Sequence, residues 1–129
     1  MSDPVAKKGD RVVGLDTHIV LVKEKGGEPT PMQFPFDGPL QSDLSDSVFV
    51  DNQPVAVVGS VANNLPAHIP MGGPFDSPPA NRATISAGSE TVFVGKTAVA
   101  RSNDAAECCN DPVDAETGHV IAQGTVYAG

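Results

Sequence analysis

Short apolar stretches rich in β-branched residues alternate with turn residues along the whole chain. The two clearest are SVFVDNQPVAVVGS (residues 47–60) and TVFVGKTAVARSND (residues 91–104), in which Asp-Asn or Gly-Lys separates two apolar halves. These dipeptides tolerate the positive φ angles that a two-residue hairpin turn demands. The pattern predicts a β-hairpin in each stretch.

The same halves occur a third time in split order. The PVA half lies near the start of the chain (residues 4–10), and the other half, TVYAG, lies at residues 125–129. If these segments pair, a third hairpin forms, three equivalent units surround a common axis, and an exposed sheet edge is removed. The repeats place residues 1–129 in one all-β domain of short hairpins. A content of 17 Val against 5 Leu, with 13 Gly and 12 Pro, favours the same class.

A second, weaker repeat is PMQFPFD (residues 31–37) and PMGGPFD (residues 70–76). Proline disfavours a central strand, so we expect both segments to be crossover loops. Phe and Met are usually buried, and we therefore expect four side chains to pack over the core: Met32, Phe36, Met71 and Phe75.

Two histidines occupy the same phase of the repeat. His18 follows Val5 by thirteen positions, and His68 follows Val55 by thirteen. Side chains at equivalent positions around an axis lie at equal distances from it and converge where they face it. We therefore expect these imidazoles to converge.

The third unit departs from this spacing. His119 follows Val99 by twenty positions, and the longer loop contains Cys108 and Cys109. Three imidazoles leave one vacancy in a tetrahedral site, which a thiolate fills, and such a set suits Zn²⁺ while also admitting iron or cobalt. Adjacent side chains in an extended segment point to opposite sides, so one cysteine suffices. We expect His18, His68, His119 and Cys108 as ligands, with Cys109 as the alternative fourth ligand.

A site with four protein ligands has no open position for substrate, so we expect a structural metal and no enzymatic activity. The sequence contains no G-x-S-x-G, no H-E-x-x-H and no glycine-rich phosphate loop. The enzymatic alternative is a small zinc metalloenzyme in which Glu107 acts as a general base beside an open three-histidine site. A third alternative is a freestanding β-fold adaptor with unrelated histidines.

The charge of the chain argues against nucleic acid as a partner, and its hydropathy argues against a membrane span and a secretory signal. The net charge is −8 and the basic residues are dispersed, so nucleic acid is not an expected partner. No apolar run approaches the roughly 20 residues of a membrane span, and MSDPVAKKGD lacks the apolar core of a secretory signal. We therefore expect synthesis in the cytoplasm without a signal peptide.

The segments QPVAVVGS, VFVGKTAVARSND and ISAGSETVFVG resemble the PAAR-repeat family, the small proteins that sharpen the spike of contractile injection machines. The resemblance covers nearly the whole chain. The family's namesake tetrapeptide has degenerate counterparts in PVAK at Pro4, PVAV at Pro54 and AVAR at Ala98.

The resemblance implies a conical protein with pseudo-threefold symmetry and zinc near its apex, held by His18, His68, His119 and Cys108. It also implies that one copy of the chain caps a trimeric β-helical spike protein and contacts a target membrane only transiently. The machine it implies is the bacterial type VI secretion system, with effectors as further partners, or alternatively a phage tail or an extracellular injection particle. The protein would reside in the bacterial cytoplasm until assembly and would then be exported at the tip.

Overall fold

The structure, a computed structural model, describes residues 2–129, and its regular elements are β-strands apart from one 3-10 turn at Lys23–Lys25. The all-β class predicted from the sequence is confirmed. No helix among these residues is long and apolar enough to cross a membrane. The strands are β1 Asp3–Pro4, β2 Arg11–Val22, β3 Glu28–Ser42, β4 Phe49–Val50, β5 Gln53–Pro54, β6 Val61–Asn63, β7 Arg82–Ile85, β8 Phe93–Val94, β9 Thr97–Ala98, β10 Ala105–Cys108, β11 Ala115–Ile121 and β12 Tyr127–Ala128.

Six strands close into an antiparallel barrel in the order β10-β11-β2-β3-β6-β7. The barrel consists of three strand pairs that are consecutive in the chain, and the β7–β10 pairing closes it. Small and large apolar side chains together fill its interior, because the inward positions of a small barrel must be filled without voids. The buried barrel residues include Val12, Phe36, Leu40, Ala62, Ala83, Ile85, Ala106, Cys108 and Val120.

The first strand pair is much longer than the other two. The β2–β3 register runs from Arg11 opposite Pro39 to Val22 opposite Glu28, whereas β11 pairs with β2 only from Arg11 to Gly14. The far part of this hairpin therefore extends beyond the barrel. A separate apolar cluster stabilises it, formed by Val20, Val22 and Phe34 with Met32 and Phe75 packed against them.

The segment 31–37 belongs to β3, so the prediction of a crossover loop there was wrong. The prolines of β3 fall at positions whose backbone nitrogen faces away from β2. Asp37, two residues after Pro35, marks that outward side, because its N–H donates to Asn64 Oδ1 at 2.9 Å. A strand tolerates proline where no partner strand needs the N–H. The sequence does not reveal that β3 pairs with β2 over residues 28–39 but with β6 only at Leu40 and Ser42, which leaves its other edge open over most of its length.

Three of the four side chains that were predicted to pack over the core do lie in apolar clusters. Phe36 is buried in the barrel, and Met32 and Phe75 pack at the far end of the β2–β3 hairpin. Met71 is the exception, since 71% of its surface is exposed. It lies in the irregular connection between β6 and β7, outside the apolar cluster at the far end of the β2–β3 hairpin.

Three two-stranded ribbons lie outside the barrel, and all three predicted pairings form. The β4–β5 hairpin turns at Asp51 and Asn52, which have φ angles of 51° and 64°, and the β8–β9 hairpin turns at Gly95. The two chain ends also pair, since β1 and β12 align Asp3 with Ala128. Below, these ribbons are called the base hairpins.

The segments that follow the base hairpins are linked in a cycle of backbone hydrogen bonds. The N–H of Ala6 donates to Ala100, that of Ala100 to Ala56 and that of Ala56 to Ala6, with N···O distances of 2.9, 3.0 and 2.9 Å. All three alanines are fully buried. Each segment is therefore joined to the next in the same way.

The side chains and turns of these segments also correspond. Val5, Val55 and Val99 form one buried cluster with Ala128. Four residues after each valine the backbone takes a positive φ, at Gly9 (92°), Gly59 (98°) and Asn103 (75°), as a tight turn into the barrel requires.

Candidate metal centre

Four ligand-type side chains meet just beyond the barrel. Atoms of Asp16, His18, His68 and Cys109 all lie within 4.8 Å of one another. The first two belong to β2, the third to the β6–β7 connection, and the fourth follows β10. The group therefore joins all three strand pairs of the barrel.

The alternation of β2 explains why one strand supplies two members. Val12, Asp16, His18 and Val20 are all buried and are spaced by even numbers of residues, so they share the inward face. Burying a carboxylate and an imidazole on this face costs folding free energy unless each forms a hydrogen bond, an ion pair or a bond to a metal.

Two of the separations among the four side chains match those of ligands on a common tetrahedral ion. Asp16 Oδ2 lies 3.4 Å from Cys109 Sγ and 4.0 Å from His18 Nε2, and that nitrogen lies 3.6 Å from Cys109 Sγ. Tetrahedral ligands at ~2.0–2.3 Å from a metal are about 3.3–3.8 Å apart. His68 Nε2 is closer to Asp16 Oδ2, at a hydrogen-bonding distance of 2.7 Å.

Two atoms of the group lack a polar partner. Asp16 Oδ1 and His18 Nδ1 are buried, and neither has a hydrogen-bond partner anywhere in residues 2–129. Buried polar atoms in native proteins are nearly always satisfied, and such exceptions require an explanation. A cation beside Asp16 would compensate its unpaired oxygen and the cost of burying its charge.

The position of His68 depends on two asparagines, because its segment has no regular structure. The N–H of His68 donates to Asn81 Oδ1 at 2.8 Å, and Asn64 Nδ2 lies 3.1 Å from His68 Nδ1. Asn64 accepts the N–H of Asp37 and donates to Asn81, which directs its amide NH₂ toward the imidazole. A neutral His68 in this arrangement carries its proton on Nε2 and donates it to Asp16.

Burial shifts the pKa values of two side chains of the group, His18 and Cys109. It lowers the pKa of His18, an effect that outweighs the opposing charges of Asp111 and Asp16 and keeps the imidazole in its neutral, metal-binding form. It raises the pKa of the Cys109 thiol to about 11, and the negative charge of Asp16 adds to this rise. Cys109 is therefore a thiol in the metal-free protein, and a bound cation would draw off its proton.

The predicted ligand set and the structural group share His18, His68 and Cys109 but differ at two positions. Cys108, the preferred sulfur ligand, lies inside the barrel, where burial raises its pKa to about 12. It faces Gly118 so closely that a Cβ there would lie 2.5 Å from its sulfur. Because β10 alternates, Cys108 faces inward with Ala106, and it is Cys109, just past the end of the strand, that reaches the group.

The structure does not bring His119 to the group. It lies exposed on β11 between the buried Gly118 and Val120, and by strand alternation it faces outward. The thirteenth position after Val99 is Pro112, so the longer loop carries His119 past the equivalent place and onto the returning strand. The structure places Asp16 in the group in addition to the predicted residues.

Asp16 was missed, although the sequence contains a signal for it. DTH lies within the apolar run RVVGLDTHIVLV, and residues two apart on a strand share a face. Glu107, the general base of the enzymatic alternative, lies exposed on β10 opposite Thr84 and outside the group.

Comparisons with known protein families, with curated proteins and with solved structures found no match. The donor set itself limits the chemistry. One carboxylate, two imidazoles and one thiol are the ligand types of zinc, iron and cobalt sites, whereas a calcium or magnesium site uses oxygen ligands. The buried group thus has the composition of a transition-metal site.

Proposed function

We propose that the protein is a metal-stiffened structural tip that caps the trimeric spike of a contractile injection machine, as its resemblance to the PAAR-repeat family implies. The type VI secretion system is the favoured machine, and a phage tail or an extracellular injection particle is the alternative. The observation that carries this proposal is the threefold pattern of the base, which suits a threefold partner.

The cyclic hydrogen bonds of Ala6, Ala56 and Ala100 support pseudo-threefold symmetry within a single chain. One chain with three equivalent segments can meet three identical subunits simultaneously, each through a similar surface. Isologous dimers and helical assemblies do not require such a pattern. The pattern therefore favours one copy of this chain on the end of one trimer.

The base hairpins expose an apolar ring that follows the same pattern. Each hairpin contributes one valine and one aromatic residue at equivalent positions, and each of these six side chains is between 39% and 56% exposed. Large exposed apolar patches mark interaction sites. The ring consists of Val48 and Phe49, Val92 and Phe93, and Val126 and Tyr127.

The metal group lies on the side of the barrel away from this ring. Along β2 the chain passes from the base segment through the barrel to Asp16 and His18 and then to the outer apolar cluster. That end has a small core, so a metal that joins three connections stiffens it more effectively than further packing. We propose Zn²⁺ as the metal, held by Asp16, His18, His68 and Cys109, with no enzymatic role.

Binding to a trimeric β-helical spike protein tests the proposal. Native mass spectrometry of the mixture should show one chain per trimer. Phe49→Asp, Phe93→Asp and Tyr127→Asp should each weaken binding, because a charge in an apolar interface is costly.

Leu15→Asp is the matched control, since Leu15 is 52% exposed but lies on β2 outside the base. Binding of two or three chains per trimer would contradict the proposal. Binding that survives all three base substitutions would contradict it as well.

A further inference from the structure

We propose that Asp111 is a positioning residue for the metal centre, where its carboxylate both orients His18 and clamps β2 beside Cys109. This inference rests on the proposed metal site. The residue lies in the β10–β11 connection, two positions after the proposed sulfur ligand.

The hydrogen bonds of Asn110 and Asp111 to β2, here called the clamp, stand where a neighbouring strand would otherwise pair with β2. Beyond Gly14, β2 has no further pairing with β11, yet three of its later N–H groups on that side are satisfied, that of Leu21 by the carbonyl of Pro74 and those of Thr17 and Ile19 by this connection. The N–H of Thr17 donates to Asn110 Oδ1 at 2.7 Å, and that of Ile19 donates to Asp111 Oδ2 at 2.9 Å. The N–H of Asp111 donates in return to the carbonyl of Thr17 at 2.8 Å.

These three hydrogen bonds flank His18, whose neighbours in the chain are Thr17 and Ile19. They hold the third connection of the barrel against the strand that carries two of the proposed ligands. Cys109 precedes this clamp directly, so the clamp also determines where its sulfur lies. The contact between Cys109 Sγ and His18 Nε2, at 3.6 Å, is made between the two clamped segments.

The same carboxylate also faces the imidazole. Asp111 Oδ2 lies 3.5 Å from His18 Nδ1, the buried nitrogen without a hydrogen-bond partner in the described chain. A histidine that binds a metal through one nitrogen usually donates its other N–H to a carboxylate or carbonyl, and this fixes its tautomer and orientation. Asp111 is placed to accept that proton, so that the Nε2 lone pair faces Cys109 and Asp16.

The two histidines of the group are therefore supported differently. His18 has a carboxylate beside Nδ1, whereas His68 has the amide NH₂ of Asn64 there. A carboxylate favours a proton on Nδ1 and leaves Nε2 free for the metal, while an amide donor favours the opposite tautomer. His18 is thus prepared for ligation, and Asp111 is the residue that prepares it.

Titration with Co²⁺ tests this role, because cobalt reports geometry and sulfur ligation through its visible and near-ultraviolet absorption. Asp111→Asn keeps an oxygen for the N–H of Ile19 but removes the charge, and it should weaken Co²⁺ binding about 10-fold. Asp111→Ala removes both contacts and should weaken it about 100-fold, since changes to such supporting residues cost 10–100-fold in affinity. Both variants should shift the cobalt d–d bands.

Asp114→Ala is the matched control, because Asp114 lies exposed in the same connection. It should leave affinity and spectrum unchanged. Wild-type affinity and spectrum in both Asp111 variants would overturn the inference and leave the metal site intact. An affinity loss with an unchanged cobalt spectrum would also overturn it, as that result assigns Asp111 a purely structural role. If the wild-type protein itself binds no Co²⁺, the proposed metal centre fails together with this inference.

Discussion

The base hairpins and the end of the barrel that carries the Asp16, His18, His68 and Cys109 group, here called the metal end, each draw on three parts of the chain, yet only the base repeats. At the base, Ala6, Ala56 and Ala100 make equivalent backbone hydrogen bonds. At the metal end the three connections differ: the first is a long hairpin, the second an irregular segment and the third a short clamp. Equivalent backbone positions at one end therefore do not deliver equivalent side chains to the other.

The difference has a physical origin. The base is held by backbone hydrogen bonds and small apolar side chains, and both depend on a pattern that short repeats can preserve. The metal end is held by particular polar atoms, and any connection that brings such an atom to the group is sufficient. The two ends should consequently respond to different perturbations.

Removal of the metal should have the largest effect and should act on one end. A ligand present at 1,000 times its Kd stabilises the folded state by about 4 kcal/mol, so a chelator should lower the melting temperature markedly. Hydrogen exchange should accelerate first at the amides of Thr17, Ile19 and Asp111, while those of Ala6 and Ala56 remain protected. Uniform acceleration across both ends would contradict the separation, as would unchanged melting.

The two cysteines offer the next test. Cys109→Ser should lower zinc affinity by more than the ~100-fold, or ~2.7 kcal/mol, that loss of a supporting residue causes, because it replaces the proposed sulfur ligand itself. Cys108→Ser should keep zinc but lower the free energy of unfolding by ~1–3 kcal/mol, because it buries a hydroxyl in the barrel. Metal analysis and thermal melting distinguish the two outcomes.

His119→Ala serves as the control for this pair, since His119 is exposed on β11. Its zinc content should equal that of the wild type. Loss of zinc on replacing His119 or Cys108, with Cys109→Ser unaffected, would restore the ligand set predicted from the sequence and refute the structural one.

Several features of the fold follow from the sequence alone. Asp51 and Asn52 identified a hairpin, and the split repeat identified the pairing of the chain ends, because turn chemistry and strand pattern are local. The repeat phase placed His18 and His68 at the group. Local pattern therefore predicted the pairings of the base and two of the four side chains in the candidate metal group.

The remaining features depend on contacts that are distant in the chain. Pro31 and Pro35 argue against a central strand, yet β3 has an open side where proline is tolerated. Whether Cys108 or Cys109 reaches the group depends on where β10 ends. Asp16 becomes a candidate ligand only when its strand is known to face His68.

A larger side chain in the buried cycle of Ala6, Ala56 and Ala100 should destabilise the base alone. Ala56→Leu should lower the free energy of unfolding by ~1–3 kcal/mol, because the fully buried site has no room for a larger side chain. Zinc affinity should stay at the wild-type level, as measured by competition with a chelator. Ala80→Leu, at an exposed position, is the control and should change neither quantity. A coupled loss of zinc binding in Ala56→Leu would show that the two ends are not independent.

The smallest effect should come from pH in the metal-free protein. Burial raises the pKa of Cys108 from 9.0 to about 12, so the folded state keeps a proton that the unfolded chain releases above pH 9. Stability is therefore fully present below pH 9 and falls as the pH rises, by up to about 1.4 kcal/mol per pH unit for this thiol. Denaturant titrations at pH 8 and pH 10 should show the loss, and Cys108→Ala should reduce it. An equal loss in the variant would assign the effect to other groups.

X-ray absorption fine structure of the zinc-loaded protein tests the central claim most directly. Binding of one ion by Asp16, His18, His68 and Cys109 predicts one sulfur neighbour near ~2.3 Å and three nitrogen or oxygen neighbours near ~2.0–2.1 Å, two of them imidazole. A zinc ion without a sulfur neighbour would contradict the account, and so would a protein that retains no stoichiometric metal.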